Sequence, residues 1–367
     1  MLTIFASIIV FGVLILIHEL GHFLLARKNG VRVEKFSFGF GPRLLKKKVR
    51  DTEYILSAIP LGGYIKMAGD DPAEKRKGKP WEFMAKSCGQ RAQIIAAGPI
   101  LNYLLGFFFF SIVFIIGCPT LTTRVGKVLE DYPARAAGIQ ENDVILAVDG
   151  KKVEFWDDMA ELIHQKTQAA EVVLDIKRDN EFIKIKLSPQ TQEREDILGQ
   201  KKKMGLIGIQ PSEEMTEVKY GWAKSFYKGG QKTWVLTTMT YKALWLVLTH
   251  RMSFKESFAG PIFIFKLTGN VAKMGFIYLI SLMGHLSICL ALFNFLPLPV
   301  LDGGHLFFLL LEKIRRKPVN LRVQEMAAQF GLAALVTLVL FISYNDLVRV
   351  GAIEKIFQWG SKIGMKQ

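Results

Sequence analysis

His18-Glu19-Leu20-Gly21-His22 lies inside an apolar run, residues 2–26, that is long enough to cross a lipid bilayer as a helix. Residues four positions apart share one face of a helix, so both imidazoles can bind a single metal ion. The carboxylate of Glu19 lies beside them, where it can take a proton from a metal-bound water. Charged and metal-binding residues are costly at membrane depth, which indicates that this stretch is a functional site.

The composition favours a membrane protein over a nucleic-acid-binding one. Half of the 367 residues are hydrophobic, and the formal net charge is +15. Many of the Lys and Arg residues flank apolar runs, where they set topology and contact anionic lipid head groups. The charge therefore predicts contact with membrane lipid and no nucleic-acid partner. The three cysteines, Cys88, Cys118 and Cys289, are too far apart for a CxxC metal pair or a disulfide framework.

Four apolar runs predict transmembrane helices, at about residues 2–26, 92–117, 275–296 and 327–344. Basic residues follow the first run and separate the last two, so the positive-inside rule places both of these connections in the cytoplasm. The chain would then begin and end outside. At about 1.5 Å per residue, His18 lies roughly 25 Å along the first helix, toward its cytoplasmic end.

The remaining segments predict smaller structures around these spans. Within residues 1–117, the segment 31–67 predicts a β-ribbon at the membrane interface. Its first part, 31–42, alternates apolar and polar residues and then breaks at Gly39, Gly41 and Pro42. Residues 121–211 have the composition of a soluble α+β domain. Aromatic residues mixed with lysines predict interfacial amphipathic helices at 217–272. Residues 273–345 contain the last two spans, and 346–367 form a C-terminal tail. The predicted fold class is a polytopic α-helical membrane protein with one interface β-ribbon and one α+β domain.

A second informative stretch runs from Asn294 to His305. Pro297 and Pro299 stop a helix at membrane depth, where irregular backbone is tolerated only if it lines a protein cavity. Asp302 would face that cavity. Two neutral histidines and one carboxylate form a catalytic zinc shell with one position open for water.

Several residues keep two interpretations. His305 is an alternative third ligand, because in a helix that starts near Asp302 it would lie one turn away. Gly303-Gly304 is more typical of a tight turn that exposes Asp302, with His305 as a polar residue at the helix start. Gly98 and Pro99 allow close helix approach, and Asn102 serves either helix packing or the lining of the active-site cavity. The ribbon is either an open edge that pairs with an unwound substrate strand or a hairpin that shields the site. The other histidines are expected to be structural: His164, His250 and His285.

Together these motifs resemble the site-2 protease family. The family pattern combines HExxH in the first span, Phe-Gly-Phe-Gly-Pro at 38–42, Pro-Leu-Gly-Gly-Tyr-Ile-Lys-Met at 60–67, Ala-Gly-Pro-Ile-Leu-Asn at 97–102 and Asn-x-x-Pro-x-Pro-x-Leu-Asp-Gly at 294–303. Residues 121–211 resemble one PDZ domain of the bacterial protease type. The RseP-type regulators of intramembrane proteolysis in enteric bacteria carry two PDZ domains in tandem, so the resemblance points to single-PDZ members.

The resemblance implies that His18, His22 and Asp302 hold Zn²⁺ and that Glu19 is the general base. It also implies substrate-binding residues in the loop before Asp302 and in the ribbon: Asn294, Pro297, Pro299, Phe38, Gly39, Gly41 and Gly63. The implied activity is hydrolysis of transmembrane segments in single-pass proteins, such as pre-cleaved anti-sigma factors or remnant signal peptides. The implied location is the bacterial inner membrane, with the active site toward the cytoplasm and the PDZ domain extracytoplasmic.

Two other functions compete with proteolysis. A membrane-anchored PDZ scaffold with a structural zinc site would bind peptides without turnover. A metal transporter fits less well, because the sequence contains one ligand set and no chain of intramembrane carboxylates. Cleavage of a membrane-protein substrate distinguishes the protease from both.

Overall fold

The computed structural model describes residues 1–70, 78–166, 171–195, 201–253 and 259–349. They form two compact units: unit 1 contains Met1–Val113, Ala223–Leu248 and Ser253–Gln367, and unit 2 contains Phe114–Trp222 and Thr249–Met252. The long helices are α1 (Leu2–Lys28), α2 (Cys88–Ile116), α5 (Trp222–Leu248), α6 (Pro261–Met274), α7 (Phe276–Asn294), α8 (Asp302–Arg315) and α9 (Leu321–Arg349). The predicted tail lies outside the described residues from position 350 onward.

Four of the described helices are long and apolar enough to cross a membrane: Leu2–Lys28, Cys88–Ile116, Phe276–Asn294 and Arg322–Val348. They coincide with the four apolar runs of the sequence, so the prediction of four such helices is confirmed. At about 1.5 Å per residue, each is roughly 28 Å or more in length, close to the hydrocarbon thickness of a bilayer.

A β-ribbon connects α1 to α2. Strand β1 (Val33–Val49) pairs antiparallel with β2 (Thr52–Met67), and register shifts place Lys35–Phe38 beside both 53–56 and 63–66. The sequence predicts a break at Gly39 and Gly41, which is wrong. Both glycines have positive φ, +89° and +86°, and they absorb the bend so that β1 continues. The ribbon packs on α1 through Phe36, whose ring centroid lies 5.2 Å from that of Phe23.

Helices α1 and α2 cross with their backbones in close contact. A Cβ at Gly21 would overlap the Ala97 carbonyl group, so only glycine permits this approach. Helix α7 packs against the same pair of helices, and the buried Ser287 hydroxyl donates a 2.7 Å hydrogen bond to the Asn102 carbonyl oxygen. Helix α1 carries two of the candidate metal ligands described below, His18 and His22, and α2 packs behind them.

Helix α5 lies alongside α2 and runs in the opposite direction. Gly229 contacts Ser111, and eight residues later the Thr237 hydroxyl lies 3.0 Å from the Tyr103 hydroxyl. The small residues on this face allow the two helices to pack lengthwise. The sequence predicts that α5 is interfacial, and its position relative to the membrane stays a prediction.

Helix α8 begins at Asp302 itself, so the predicted tight turn at Gly303-Gly304 is wrong. The two glycines instead let the first turn of α8 rest on the preceding loop. A Cβ at Gly303 would overlap the Leu296 carbonyl oxygen, and one at Gly304 would overlap the Leu298 carbonyl oxygen. The helix extends to Arg315. The connection between the last two apolar runs, predicted to be a cytoplasmic loop, is therefore partly helical.

Unit 2 contains a four-stranded sheet in the order β6-β5-β7-β8, formed by Lys151–Lys152, Val144–Val148, Val172–Arg178 and Glu181–Leu187. Three further strand pairs join β3 (Cys118–Leu121) to β12 (Met215–Val218), β4 (Val125–Val128) to β11 (Ile209–Pro211) and β9 (Gln190–Glu195) to β10 (Lys201–Leu206). Helices α3 (Pro133–Ala136) and α4 (Trp156–His164) complete the unit. The unit thus contains both strands and helices, as the sequence predicts for residues 121–211, and β12 lies beyond those bounds.

The core of unit 2 is apolar, with one buried ion pair at its margin. Ile145, Met159 and Leu174 are among its fully buried side chains. The buried Asp143 carboxylate accepts two 2.8 Å hydrogen bonds from Arg178. This contact raises the pKa of the Arg178 guanidinium, because the paired carboxylate favours the charged form.

Candidate metal centre

Two consecutive turns of α1 and the first residue of α8 bring three ligand atoms together. The Nε2 atoms of His18 and His22 are 3.2 Å apart. The Oδ2 atom of Asp302 lies 3.1 Å from Nε2 of His18 and 3.6 Å from Nε2 of His22. The sequence therefore predicted correctly which residues meet.

The three ligand atoms have the spacing that one zinc ion requires. Zinc–ligand bonds of about 2.0–2.2 Å in a tetrahedron separate the ligand atoms by roughly 3.3 Å. All three ligand atoms lie within 4.8 Å of one another. Two imidazoles and one carboxylate also match the chemistry of catalytic zinc sites, which leave a fourth position for water. The residues fit Zn²⁺.

Helix α2 supports both histidines from behind. Nδ1 of His22 lies 2.9 Å from the carbonyl oxygen of Ile94 and donates to it, which leaves Nε2 free to bind metal. The carboxamide nitrogen Nδ2 of Asn102, a fully buried residue, lies 3.2 Å from Nδ1 of His18, and Oδ1 of the same carboxamide has no hydrogen-bond partner among the described residues. When Nε2 of His18 binds metal, Nδ1 carries the proton, so the carboxamide must turn by about 180° to present Oδ1 as the acceptor. Asn102 thus contacts one of the metal ligands, His18, directly. The prediction that it lines the cavity did not include this contact.

Gly98 makes room for the imidazoles. A Cβ at this position would overlap Nε2 of His22 and lie 2.9 Å from Cε1 of His18. The sequence predicts that Gly98 and Pro99 allow close helix approach, and the structure places that approach at the metal ligands themselves. The residue following Gly98, Pro99, has no backbone N–H and leaves one helix hydrogen bond unmade at this point.

Glu19 faces a strand of the ribbon. A Cβ on Gly63 would lie 3.3 Å from Cγ of Glu19, so strand β2 passes next to the candidate general base. Within the described part of the chain, residues 63–65 pair with a strand along one side only, β1, and the backbone of Ile65 forms a hydrogen bond with the Glu19 carboxylate. A strand edge without a second strand partner, beside a candidate catalytic carboxylate, is able to accept an extended peptide.

A cavity of about 970 Å³ opens next to the three ligands. Its wall includes Glu19, the edge-strand residues Tyr64 and Ile65, and His305. His305 lies in the first turn of α8 but outside the group of ligand atoms, so the structure favours Asp302 over His305 as the third ligand. The cavity is large enough to hold several residues of a peptide together with water.

The residues implied for substrate binding occupy different places. Gly63 lies at the site, whereas Phe38 packs near Gly12 of α1 and Gly39 and Gly41 contact Ile59. Asn294 is the last residue of α7, and Pro297 and Pro299 lie in the loop that ends at Asp302. Pro299 contacts Gly331 of α9. Their roles in substrate binding stay a prediction.

Comparison with known proteins assigns the chain to a family. The model of peptidase family M50 matches residues 6–338. This chain belongs to peptidase family M50. A protein of Clostridium acetobutylicum that is provisionally named a zinc metalloprotease is 36% identical over 343 residues, which cover 93% of this chain and 96% of the relative. The regulator of sigma E protease of Haemophilus influenzae is 30% identical over 434 residues, covering 94% and 98% of the two chains.

The M50 peptidase is accordingly a site-2-type zinc metallopeptidase, and the names of its relatives support zinc as the metal. Its apolar helices fit a protein of the inner membrane. A solved PDZ domain of the SdrC-like protein from Listeria monocytogenes is 23% identical, with a TM-score of 0.20, and covers 24% of this chain and 84% of its own. A PDZ domain from Listeria innocua is 26% identical, with a TM-score of 0.21, and covers 25% and 96%.

Proposed function

We propose that this M50 peptidase hydrolyses peptide bonds within the transmembrane segments of single-pass membrane proteins. One observation carries the proposal: the two histidines, Asp302 and Glu19 meet among helices of membrane length, beside an unpaired strand edge. A peptidase that cleaves soluble peptides would not need its metal ligands to lie among helices of membrane length. Pre-cleaved anti-sigma factors and remnant signal peptides are the substrate classes that we propose, and the relative named as a regulator of sigma E protease supports the first.

The chemistry follows from the residues at the site. A bound zinc ion acts as a Lewis acid and lowers the pKa of water to near neutrality. The Glu19 carboxylate accepts a proton from the attacking water, whose oxygen forms the new bond to the carbonyl carbon of the scissile peptide. Glu19 then donates this proton to the nitrogen of the departing amine as the C–N bond breaks. The products are one carboxylate and one amine, so water is consumed once per cleavage.

The substrate must be extended for this reaction. A transmembrane helix satisfies its own backbone hydrogen bonds, and these bonds shield its carbonyl groups. Residues 63–65 offer replacement backbone partners next to Glu19, so an unwound segment can pair there without leaving polar groups unsatisfied.

We further propose the orientation of the protein in the membrane. Basic residues at 27–28 and 46–48 favour the cytoplasm for the ribbon side of unit 1. Unit 2 follows the second span and is then extracytoplasmic. Its strand and helix order and its Pro-Ala-x-x-Ala-Gly-Ile stretch at 133–139 support a PDZ module that selects or excludes substrates by binding peptide ends.

Replacement of Glu19 by Gln tests the proposed activity. The experiment follows a single-pass substrate, tagged at both ends, in membranes that contain either wild-type or Glu19→Gln protein. We expect cleavage to stop while zinc content stays unchanged, because Gln keeps the shape of Glu but cannot accept the proton. Equal cleavage by both proteins would refute the proposal, and so would peptide binding without turnover by the wild-type protein.

A further inference from the structure

A buried ion pair lies in the wall of the metal-site cavity, away from the ligands. The Nη2 atom of Arg91 donates a 2.6 Å hydrogen bond to Oε1 of Glu312. The two side chains are only 10% and 20% exposed, and both line the same cavity as Glu19 and Asp302. Neither residue belongs to one of the motifs at 18–22 or 294–303, so the sequence alone does not single them out.

The pair joins two helices that also meet at the metal centre. Arg91 lies in the first turn of α2, one turn before Ile94, which holds His22. Glu312 lies in α8, ten residues after Asp302, or about 15 Å along the helix axis. Helix α8 is therefore connected to the α1–α2 pair at both ends: Asp302 contacts the histidines at one end, and Glu312 contacts Arg91 at the other.

Apolar packing fixes α8 only in part. Leu309 is buried, whereas Phe307, Leu310 and Ile314 are exposed, and the remaining large apolar side chains of the helix are half-buried: Leu306, Phe308 and Leu311. The ion pair is buried and charge-assisted, and breaking such a pair by removing one partner is far more disruptive than losing a surface contact. The position of α8 relative to α2 therefore also depends on this polar contact.

We propose that Arg91 and Glu312 are positioning residues for the third metal ligand. The ion pair holds α8 against α2, which keeps the Asp302 carboxylate at the distance from His18 and His22 that a zinc ion requires. The inference rests on the metal centre of the proposed protease and is independent of which substrate it cleaves. Neither residue contacts the ligands, so their effect passes through the helix.

The test measures zinc affinity in the purified full-length protein, by competition with a fluorescent chelator, together with the unfolding temperature of the zinc-free and zinc-bound forms. For Glu312→Gln we expect the zinc dissociation constant to rise about tenfold, the range found when residues that orient a metal ligand are replaced. The rise in unfolding temperature that zinc produces should shrink in parallel. The charge-swapped protein, with Arg91→Glu and Glu312→Arg together, should recover most of the affinity.

Asp143→Asn is the matched control, since it breaks another buried carboxylate–arginine pair, in unit 2. It should lower the unfolding temperature and leave zinc affinity unchanged. Arg91→Lys keeps the positive charge but loses the planar guanidinium group that pairs with the carboxylate. If Glu312→Gln does not fold, the zinc dissociation constant of Arg91→Lys tests the proposal in its place. A dissociation constant within twofold of wild type in the folded variants would overturn the proposal and leave the pair a purely structural contact. A wild-type protein that binds zinc but cleaves no membrane protein would count against the proposed function only.

Discussion

Two residues without a catalytic role shape the metal site at the scale of single side chains. Gly98 leaves the space that the imidazoles of His18 and His22 fill, and Asn102 orients His18 from behind. The sequence singled out both positions, because glycine allows close helix approach and an asparagine in an apolar span needs a polar partner. It could not separate helix packing from ligand support, since that distinction depends on which face of α2 meets α1.

Replacement of Gly98 by Ala is predicted to weaken zinc binding. The new methyl group would overlap the ring of His22, so the histidines must move and the affinity for zinc should fall about tenfold or more. Gly89→Ala is the control, because Gly89 lies in the same helix with open space around it and has a similar gain in helix propensity. Chelator competition measures both variants; equal affinities would show that α2 shifts to accommodate the methyl group.

Replacement of Asn102 by Leu is predicted to lower zinc affinity by about 10- to 100-fold, because Nδ1–H of His18 loses its acceptor. The control is Ser287→Ala, which removes a hydrogen bond to the backbone of Asn102 but leaves the carboxamide in place. Only the Leu variant should change the zinc dissociation constant. Unchanged affinity in Asn102→Leu would make the residue a packing element.

At the scale of elements, the ribbon was predictable in kind but not in path. Alternating residues predicted its strands, yet Gly39 and Gly41 pointed to a chain break rather than to a bend within one long strand. The start of α8 was predicted near His305 rather than at Asp302 for a similar reason. Glycine pairs are typical of turns, and only the close approach of the 296–299 backbone explains why they begin a helix here.

The unpaired edge of the ribbon predicts which substrates are cleaved fastest. Replacing one residue of the substrate near the scissile bond by Gly costs about 1 kcal/mol of helix stability relative to Ala, so cleavage should accelerate about fivefold if unwinding limits the rate. The same Gly placed at the far end of the transmembrane segment is the control. Initial cleavage rates in proteoliposomes measure both, and equal rates for the two substrates would argue against pairing with residues 63–65.

At the scale of the whole molecule, local motifs identified the ligands but not the contacts that hold them together. His18, His22 and Asp302 were found because each stands in a recognisable stretch. The Arg91–Glu312 pair was not, because its two residues lie far apart in the chain and each has an ordinary alternative explanation as a flanking charge. Pairings of this kind follow from helix packing, which periodicity does not specify.

The orientation in the membrane gives a prediction at this scale. Single cysteines at the exposed positions Lys47 and Lys151, in a background without the native cysteines, report which side each faces. A maleimide that cannot cross the membrane should label Lys151→Cys in intact spheroplasts, and should label Lys47→Cys only after lysis. The reverse pattern would place unit 2 in the cytoplasm and overturn the proposed orientation.

The distance along the chain between His22 and Asp302 has a consequence for biosynthesis. The histidines lie in the first of the four apolar helices, whereas the carboxylate that completes their ligand set follows the third. A nascent chain therefore carries both histidines while the 280 positions from His22 to Asp302 are translated. The proposed hydrolysis requires all three ligands, so a copy that ends before Asp302 should leave neighbouring membrane proteins intact.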